Sequence, residues 1–229
     1  MSSSAAPAAS GTPAAVIFDL YGTLIDIASL NERVSKISKT PDEFVQLWRD
    51  RQLALAFATS NDETYADFDE LTARALDDTV ARLQITIGGN ARAYILAGWT
   101  EVGFYADVAP TVVAIRERGY QTAVLTNGTA RSARLALTNV GLMGIFDAVL
   151  TADTVHRYKP EEAVYRMALD HFHCAPDEIL FVSSNDWDAS GAARIGFRSI
   201  WCHRGAANSR RPERSIGKLD ELLTILDTE

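Results

Sequence analysis

The chain has 229 residues, of which 47% are hydrophobic and 23% charged, a composition typical of a globular protein. Thirty Asp and Glu against 22 Lys and Arg give a net charge of −8, which argues against a protein that binds nucleic acid or an anionic membrane surface. No run approaches the roughly 18 apolar residues of a membrane span. The two cysteines, Cys174 and Cys202, favour neither a disulfide framework nor a zinc site, so we expect a cytoplasmic protein with reduced thiols.

The first residues of the chain, 1–14, are mostly Ala and Ser and include two prolines. They have neither the basic start nor the apolar core of a secretory signal peptide. Their low complexity predicts a flexible leader without a function of its own.

Short apolar runs rich in β-branched and aromatic residues predict the strands. Each run is continuous rather than alternating, which is typical of strands buried on both faces of a parallel sheet. The runs are Ala15–Phe18, Thr122–Leu125, Ala148–Leu150, Ile179–Val182 and Ser199–Trp201. Helical patterns lie between most of them, at Pro110–Arg118, Ala130–Val140, Glu161–His171 and Asp188–Ile195. This alternation predicts an α/β fold with a Rossmann-like, doubly wound core around a parallel sheet.

The stretch between the first two predicted strands has a different pattern. From residue 28 to residue 103 it is nearly all helix-like, and only Ile85–Ile87 has strand character. We therefore expect a helical cap at 28–103, inserted into a core formed by 15–27 and 104–229.

Polar clusters follow four of the predicted strands. Ligands of open parallel sheets bind beyond the carboxyl ends of the strands, so these clusters are candidates for one shared site. They are Asp19 in FDLYGTL, Thr126–Asn127–Gly128, Tyr158–Lys159–Pro160, and Ser183–Ser184–Asn185 with Trp187 and Asp188. Each cluster alone is more typical of a turn or a helix start. Four of them at one sheet edge predict a crevice that holds two carboxylates, a lysine, hydroxyls and an amide.

In this order and spacing, the motifs FDLYGTL, LTNG, YKP and FVSSNDWDASGA resemble those of the haloacid dehalogenase (HAD) superfamily, and more narrowly those of the type II L-2-haloacid dehalogenases. The resemblance runs from about Val16 to Arg204 and includes WRDRQL in the expected cap. Its most specific part is SSNxWD. The resemblance implies a HAD-type Rossmann-like core with an inserted helical cap, a hydrolytic enzyme without metal or cofactor, and a homodimer.

The resemblance also implies a covalent mechanism. Asp19 matches the family's aspartate in FDxYGT and is expected to attack the α-carbon of a 2-haloacid, form an ester and expel halide. Lys159 is expected to stay charged beside Asp19 and Asp188 and to orient the nucleophile. Thr23 and Ser183 are expected to hydrogen-bond the carboxylates.

Two further roles follow from the matched positions. The water that hydrolyses the ester would be activated by Asp188 or by Asn185, and the sequence does not separate the two. Tyr165, four residues beyond Glu161 on a predicted helix, matches a family tyrosine that pairs with the catalytic lysine, Lys159.

The substrate contacts are also implied by the resemblance. Arg49 in WRDRQL matches the family's essential arginine and is expected to meet the leaving halide or the substrate carboxylate. Its neighbour Arg51 is the competing arginine and faces about 200° around the helix. Thr126 and Asn127 are expected to donate to the substrate carboxylate. The candidates for an apolar wall around the α-carbon are Leu20, Tyr21, Leu53 and Trp187.

Most of the superfamily are magnesium-dependent phosphatases, which resemble each other in a DxDGT loop and a GDSxxD motif. Here Tyr21 stands at the second Asp of the loop, and Ser184 stands at the Asp that helps to hold the metal. A hard divalent cation prefers several anionic oxygens, so both replacements weaken a metal site. Displacement of halide from a saturated carbon needs neither the metal nor a general acid.

The sequence thus predicts a metal-independent hydrolase that converts short (S)-2-haloalkanoic acids into (R)-2-hydroxyalkanoic acids and halide, through an ester on Asp19 and with inversion. Its expected partners are the small-molecule 2-haloacid, water and halide, with no nucleic acid and no membrane. Three alternatives stay open. They are a magnesium-dependent phosphatase of the same fold, a dehalogenase adapted to fluoroacetate, and a non-catalytic binding protein.

Overall fold

The computed structural model describes residues 11–59, 65–205 and 214–228, so most of the expected leader lies outside the described residues. The described residues form strands β1 to β8 at Ala15–Phe18, Ile25–Asp26, Gly103–Phe104, Gln121–Thr126, Ala148–Thr151, Ile179–Ser183, Arg198–Cys202 and Ser215–Ile216. They form helices α1 to α9 at Asn31–Val34, Pro41–Ala58, Phe68–Arg82, Gly89–Ala97, Val108–Glu117, Ala130–Asn139, Glu162–Phe172, Asp186–Arg194 and Glu221–Leu226.

Six of the strands form one parallel sheet, in the order β5-β4-β1-β6-β7-β8. The predicted α/β fold with a parallel sheet is confirmed, and so are the five predicted strands and the four predicted helices. Strand β8 was not predicted because it is only two residues long and lies at the sheet edge, where no apolar run is required.

The strands carry continuous apolar runs because helices cover both faces of the sheet. In β1, Val16 and Phe18 lie in one apolar cluster, whereas Ala15 and Ile17 lie in another. The first cluster includes side chains of α5 and α9, and the second includes side chains of α7 and α8. All four β1 residues are fully buried. Successive side chains of a strand point to opposite faces, so a strand covered on both faces is apolar at every position.

The described residues between β2 and β3 form α1 to α4, short 3₁₀ helices and turns, and no strand. Strand β2 pairs antiparallel with β3, with Ile25 opposite Phe104, so the chain leaves and re-enters the sheet core at one place. We refer to residues 27–102 as the helical segment. The strand character expected at Ile85–Ile87 is wrong, because Ile85 packs against the apolar cluster from a non-strand backbone.

Helix α2 carries the motif WRDRQL and packs along α3. It begins at Pro41, whose missing N–H is not needed in the first helical turn. Phe44 and Trp48 lie one turn apart and are fully buried. The indole Nε1 of Trp48 donates a 2.9 Å hydrogen bond to the carbonyl of Thr72 on α3, which fixes the rotation of α2 and therefore the direction of Arg49.

None of the described helices combines the length and the apolar character needed to cross a membrane.

Candidate active site

The register of the sheet brings the predicted polar clusters to one edge. Phe18 of β1 lies opposite Val124 of β4 and Val182 of β6. The next residue after Phe18 is Asp19, whose N–H donates a 2.9 Å hydrogen bond to the carbonyl of Val182. Asp19 is 5% exposed, so its carboxylate lies in a nearly dry crevice at the carboxyl ends of the strands.

Lys159 enters this crevice from the loop after β5. Its Nζ donates to Asp19 Oδ1 at 2.7 Å, to Asp188 Oδ2 at 2.7 Å and to the carbonyl of Leu125 at 3.0 Å. An ammonium group has three N–H donors, and all three are used. Lys159 is 1% exposed, so its position between the two carboxylates is fixed.

The charges of this cluster depend on one another. Burial alone would lower the pKa of Lys159, but the charges of Asp188 and Asp19 outweigh burial and raise it. Burial raises the pKa of Asp188, and the nearby charge of Asp19 adds to this effect. Lys159 therefore remains a cation, and Asp188 is a stronger base than an exposed carboxylate.

The second oxygen of Asp19 is held from the opposite side. Oδ2 accepts hydrogen bonds from the Thr23 hydroxyl at 2.9 Å and from Asn185 Nδ2 at 3.1 Å. The Thr23 Oγ1 in turn accepts from the N–H of Ser184 at 2.8 Å. Both carboxylate oxygens of Asp19 thus have fixed donors, which orients the carboxylate.

Tyr165 contacts Asp188 and not Lys159, so the expected pairing with the lysine is wrong. The Tyr165 hydroxyl donates to Asp188 Oδ1 at 2.7 Å, while Lys159 holds the other oxygen, Oδ2. Burial raises the pKa of Tyr165 and keeps it a neutral donor. A side chain at Gly191 would clash with the Tyr165 hydroxyl, which explains the glycine in DASGA.

Ser183 also differs from the expectation. It is fully buried, but its hydroxyl accepts a 3.2 Å hydrogen bond from the N–H of Asn185 and bonds no carboxylate among the described residues. The difference arises because Ser183 is the last residue of β6, where its side chain lies beside the turn into α8. Ser183 therefore supports the backbone that carries Asn185.

Thr126 and Asn127 lie at the end of β4, next to Lys159. Thr126 Oγ1 accepts from the N–H of Gly128 at 3.0 Å, and Asn127 Oδ1 accepts from the backbone N–H of Lys159 at 2.8 Å. Both residues are buried. Their side-chain oxygens hold the loops of the crevice, and Asn127 Nδ2 makes no hydrogen bond within the described part of the chain, so it can donate to a ligand.

Arg49 reaches toward this crevice from α2. Its Nη1 donates to Gln52 Oε1 at 2.6 Å, and its guanidinium lies 5.8 Å from the ring centre of Trp99. Burial lowers the pKa of Arg49, and the attraction of Asp19 is the largest opposing influence. The competing Arg51 forms an ion pair with Asp78 in which both side chains are 48% exposed. The structure therefore separates the two arginines, one facing the crevice and one facing solvent.

The four apolar candidates differ in how deeply they are buried. Leu20 and Tyr21 are buried beside Asp19. The Tyr21 hydroxyl donates to the carbonyl of Trp99 at 3.3 Å. Leu53 and Trp187 are only half-buried, and the Trp187 ring meets Phe57 at the end of α2, with 5.2 Å between ring centres.

Two cavities flank the crevice between the helical segment and the core. One of about 480 Å³ has a lining that includes Tyr21, Gln52, Phe68 and Trp99. Another of about 630 Å³ includes Arg49, Gly22 and Ser184 in its lining. Sequence reasoning missed Gln52, Phe68 and Trp99. Only Gln52 carried a usable signal, as a polar residue one helical turn after Arg49.

The residues present do not suit the magnesium ion of the phosphatases in the superfamily. Lys159 already forms ion pairs with both Asp19 and Asp188, and the third carboxylate is replaced by Ser184, whose hydroxyl contacts Thr23. The described ranges contain no group of three His, Cys, Asp or Glu side chains arranged to hold a metal. Tyr21 is also no substitute for a general acid, because burial raises its pKa.

Comparisons with known proteins agree with this geometry. Residues 13–196 match the family model of the haloacid dehalogenase-like hydrolases. The chain is 32% identical to (S)-2-haloacid dehalogenase 1 of Pseudomonas sp. (strain CBS-3) over 93% of this chain and 97% of that one.

Two solved structures share the fold closely. A crystal structure of an L-2-haloacid dehalogenase superimposes with a TM-score of 0.90 at 31% identity and covers 95% of this chain and 100% of that one. The L-2-haloacid dehalogenase from Xanthobacter autotrophicus with chloropropionic acid covalently bound gives a TM-score of 0.86 at 25% identity, over 94% and 98% of the two chains. The chain belongs to the haloacid dehalogenase-like hydrolases and, within them, to the (S)-2-haloacid dehalogenase family.

Proposed function

We propose that this chain hydrolyses short (S)-2-haloalkanoic acids to (R)-2-hydroxyalkanoic acids and halide, without a metal and through an ester on Asp19. The observation that carries the proposal is the buried Asp19 carboxylate, which is bound by Lys159 on one oxygen and by Thr23 and Asn185 on the other. A carboxylate shielded from water and fixed in direction is a stronger nucleophile than a solvated one.

In the first step an oxygen of Asp19 attacks the α-carbon from the side opposite the halogen. The new C–O bond forms as the carbon–halogen bond breaks, and the bonding electrons leave with the halide. Attack from the back inverts the configuration. Halide is a weak base, so no acid is needed to protonate it, which agrees with Tyr21 in place of an acidic residue.

The guanidinium of Arg49 supplies positive charge to this step. Arg49 lies on the helical segment, so the segment acts as a cap that brings a cation over Asp19. The Asn127 amide, whose nitrogen points to no described partner, is suited to the substrate carboxylate. The overall negative charge of the protein opposes an anionic substrate, and these local donors must compensate for it.

In the second step water attacks the ester carbonyl carbon of Asp19. Asp188 accepts the proton, because a carboxylate can hold it and the amide of Asn185 cannot. The raised pKa of Asp188 favours this role. The bond between the carbonyl carbon and the alkyl oxygen then breaks as Asp188 returns the proton to that oxygen. The hydroxy acid thus keeps an oxygen that came from Asp19, and Asp19 gains one from water.

The test is chloride release from (S)-2-chloropropionate by the purified protein in EDTA, with Asp19→Asn as the control. We expect release by the parent, none by the variant, and (R)-lactate as product. A single turnover in ¹⁸O-labelled water should put the label into Asp19 and not into the lactate.

Other outcomes would contradict the proposal in distinct ways. Label in the lactate during a single turnover would mean direct attack by water. Hydrolysis of a phosphate ester with magnesium, without chloride release in EDTA, would support the phosphatase alternative. Lactate of retained configuration would exclude the single displacement on the α-carbon.

A further inference from the structure

Arg49 is the first member of a chain of hydrogen bonds that ends on the backbone of helix α3. Arg49 Nη1 donates to Gln52 Oε1 at 2.6 Å, and Gln52 Nε2 donates to Thr72 Oγ1. The Thr72 hydroxyl donates to the carbonyl of Phe68 at 2.6 Å. The chain therefore links the arginine on α2 to the backbone of α3.

The donors and acceptors of this chain have only one consistent arrangement. The single proton of the Thr72 hydroxyl goes to the Phe68 carbonyl, so Thr72 Oγ1 is left as an acceptor. It must therefore face the NH₂ group of the Gln52 amide. The Gln52 oxygen then faces Arg49, which can only donate. If the Gln52 amide were flipped, its NH₂ group would face the N–H groups of Arg49, and neither could accept a hydrogen bond.

Burial makes this arrangement rigid. Gln52 is fully buried and Thr72 is 6% exposed, so water does not compete for their polar groups. An unsatisfied amide in such a place is costly, which holds Gln52 in its orientation. The Trp48 indole, bonded to the Thr72 carbonyl at 2.9 Å, keeps α2 and α3 in register around the pair.

The lack of charge on Gln52 also matters for anion binding by Arg49. The amide oxygen of Gln52 accepts from Arg49 without neutralising it, so the guanidinium keeps its charge for an anion. A carboxylate in the same place would form an ion pair with Arg49 and compete with that anion.

We propose that Gln52, anchored by Thr72, is a positioning residue that aims the charged guanidinium of Arg49 at the crevice. This inference rests on the proposed function, in which Arg49 meets the leaving halide or the substrate carboxylate. Gln52 contacts no reacting atom and acts through Arg49.

The test is steady-state chloride release from (S)-2-chloropropionate by the full-length protein. For Gln52→Met and Thr72→Val we expect kcat/KM to fall by about 10- to 100-fold, the effect of losing one hydrogen bond to a charged group. Thr72→Ser keeps the hydroxyl and should stay within about threefold of the parent. The matched control is Gln46→Met, since Gln46 lies on the same helix and bonds the exposed Asp50.

A merely structural role is separated by a double-mutant cycle with Arg49→Lys. If Gln52 acts through the guanidinium, Gln52→Met should cost no more than about twofold in the Arg49→Lys background. Equal losses in both backgrounds, or full activity of Gln52→Met, would overturn the proposal. Gln52→Glu should raise KM more than it lowers kcat, because the carboxylate competes for Arg49 in the ground state.

A crystal structure of Gln52→Met tests the inference without using activity. We expect the Arg49 guanidinium to leave its place 5.8 Å from the Trp99 ring centre. An unmoved guanidinium overturns the positioning role even if the parent is inactive on haloacids. If the guanidinium is displaced in the Gln52→Met variant but the parent releases no chloride, the proposed function is refuted and the positioning role still stands.

Discussion

Asp69 of helix α3 accepts a 2.6 Å hydrogen bond from the Ser132 hydroxyl of helix α6 and so joins the helical segment to the core. Its same oxygen, Oδ2, accepts from the Thr129 hydroxyl at 2.9 Å. Thr129 caps α6 and follows the loop that carries Asn127. The contact that holds the segment over the crevice is therefore tied to a loop of the crevice itself.

Replacing Asp69 with Ala should loosen this connection. Two hydrogen bonds to a partly exposed carboxylate are lost, so we expect the free energy of unfolding to fall by about 1–3 kcal/mol and Tm by about 3–8 °C. The value of kcat/KM should fall as well, because Arg49 is carried by the same segment. Asp69→Asn keeps an acceptor and should have less than half of the effect on Tm. Calorimetry and chloride release measure both.

The control for this change is Asp78→Asn on the same helix. Asp78 pairs with Arg51 at the surface, and exposed pairs contribute about 0–1 kcal/mol. If Asp78→Asn and Asp69→Ala lower the free energy of unfolding equally, the contact of Asp69 with Ser132 and Thr129 stabilises the protein no more than a surface ion pair does.

The two arginines of WRDRQL should differ sharply in their effect on the reaction. Arg49→Ala removes the cation that the helical segment brings to the crevice, and we expect kcat/KM for (S)-2-chloropropionate to fall at least about 100-fold. Arg51→Ala removes an exposed ion pair and should change kcat/KM by less than about twofold. Similar losses for both variants, measured by chloride release, would show that net charge rather than the place of Arg49 governs the reaction.

The sheet edge could be predicted because it follows from local rules. Continuous apolar runs indicate parallel strands, and the residues after each run must meet at one edge. That reasoning brings Asp19, Thr126 and Asp188 together without knowledge of side-chain angles. The motifs then mark Lys159 as the cation among them.

The partners of individual side chains could not be predicted in the same way. Whether Tyr165 reaches Lys159 or Asp188 depends on how α7 packs against α8, a contact between two helices that strand β6 separates in the sequence. The spacing of Gln52 from Arg49 does not by itself predict their contact, because a glutamine three residues after an arginine is usually solvated on a helix surface. Only the packing of α2 on α3 buries it.

Replacing Lys159 with Met should leave two buried carboxylates without their cation. Breaking such a pair costs about 3–5 kcal/mol, and we expect chloride release to be lost. The cost should depend on pH. In the parent, the pKa of Lys159 is raised above its unfolded value, so its contribution is fully present below about pH 10 and is lost only as pH rises further.

In the Lys159→Met variant the pH dependence should come from the carboxylates. Without the cation, burial keeps the pKa of Asp188 raised, so the folded protein holds a proton on Asp188 that the unfolded chain releases above about pH 4. Stability therefore falls as pH rises through the raised pKa. The difference in Tm between parent and variant should therefore be larger at pH 8 than at pH 5. The exposed Lys218→Met is the control. An equal difference at both pH values would show that the carboxylates are not the cause.

Asp188→Asn should separate the two chemical steps. The asparagine keeps an oxygen that can accept from Tyr165, but it cannot accept a proton from water, so the ester on Asp19 should form and persist. Intact-mass measurement after incubation with (S)-2-chloropropionate should show one carboxyethyl group per chain, on a peptide that contains Asp19, and at most one chloride released per chain. Asp186→Asn, on the exposed side of the same helix turn, should turn over normally and carry no adduct. Multiple turnovers by Asp188→Asn would instead mean that Asp188 is not the proton acceptor, and that water is oriented by another group such as Asn185, whose amide contacts Asp19.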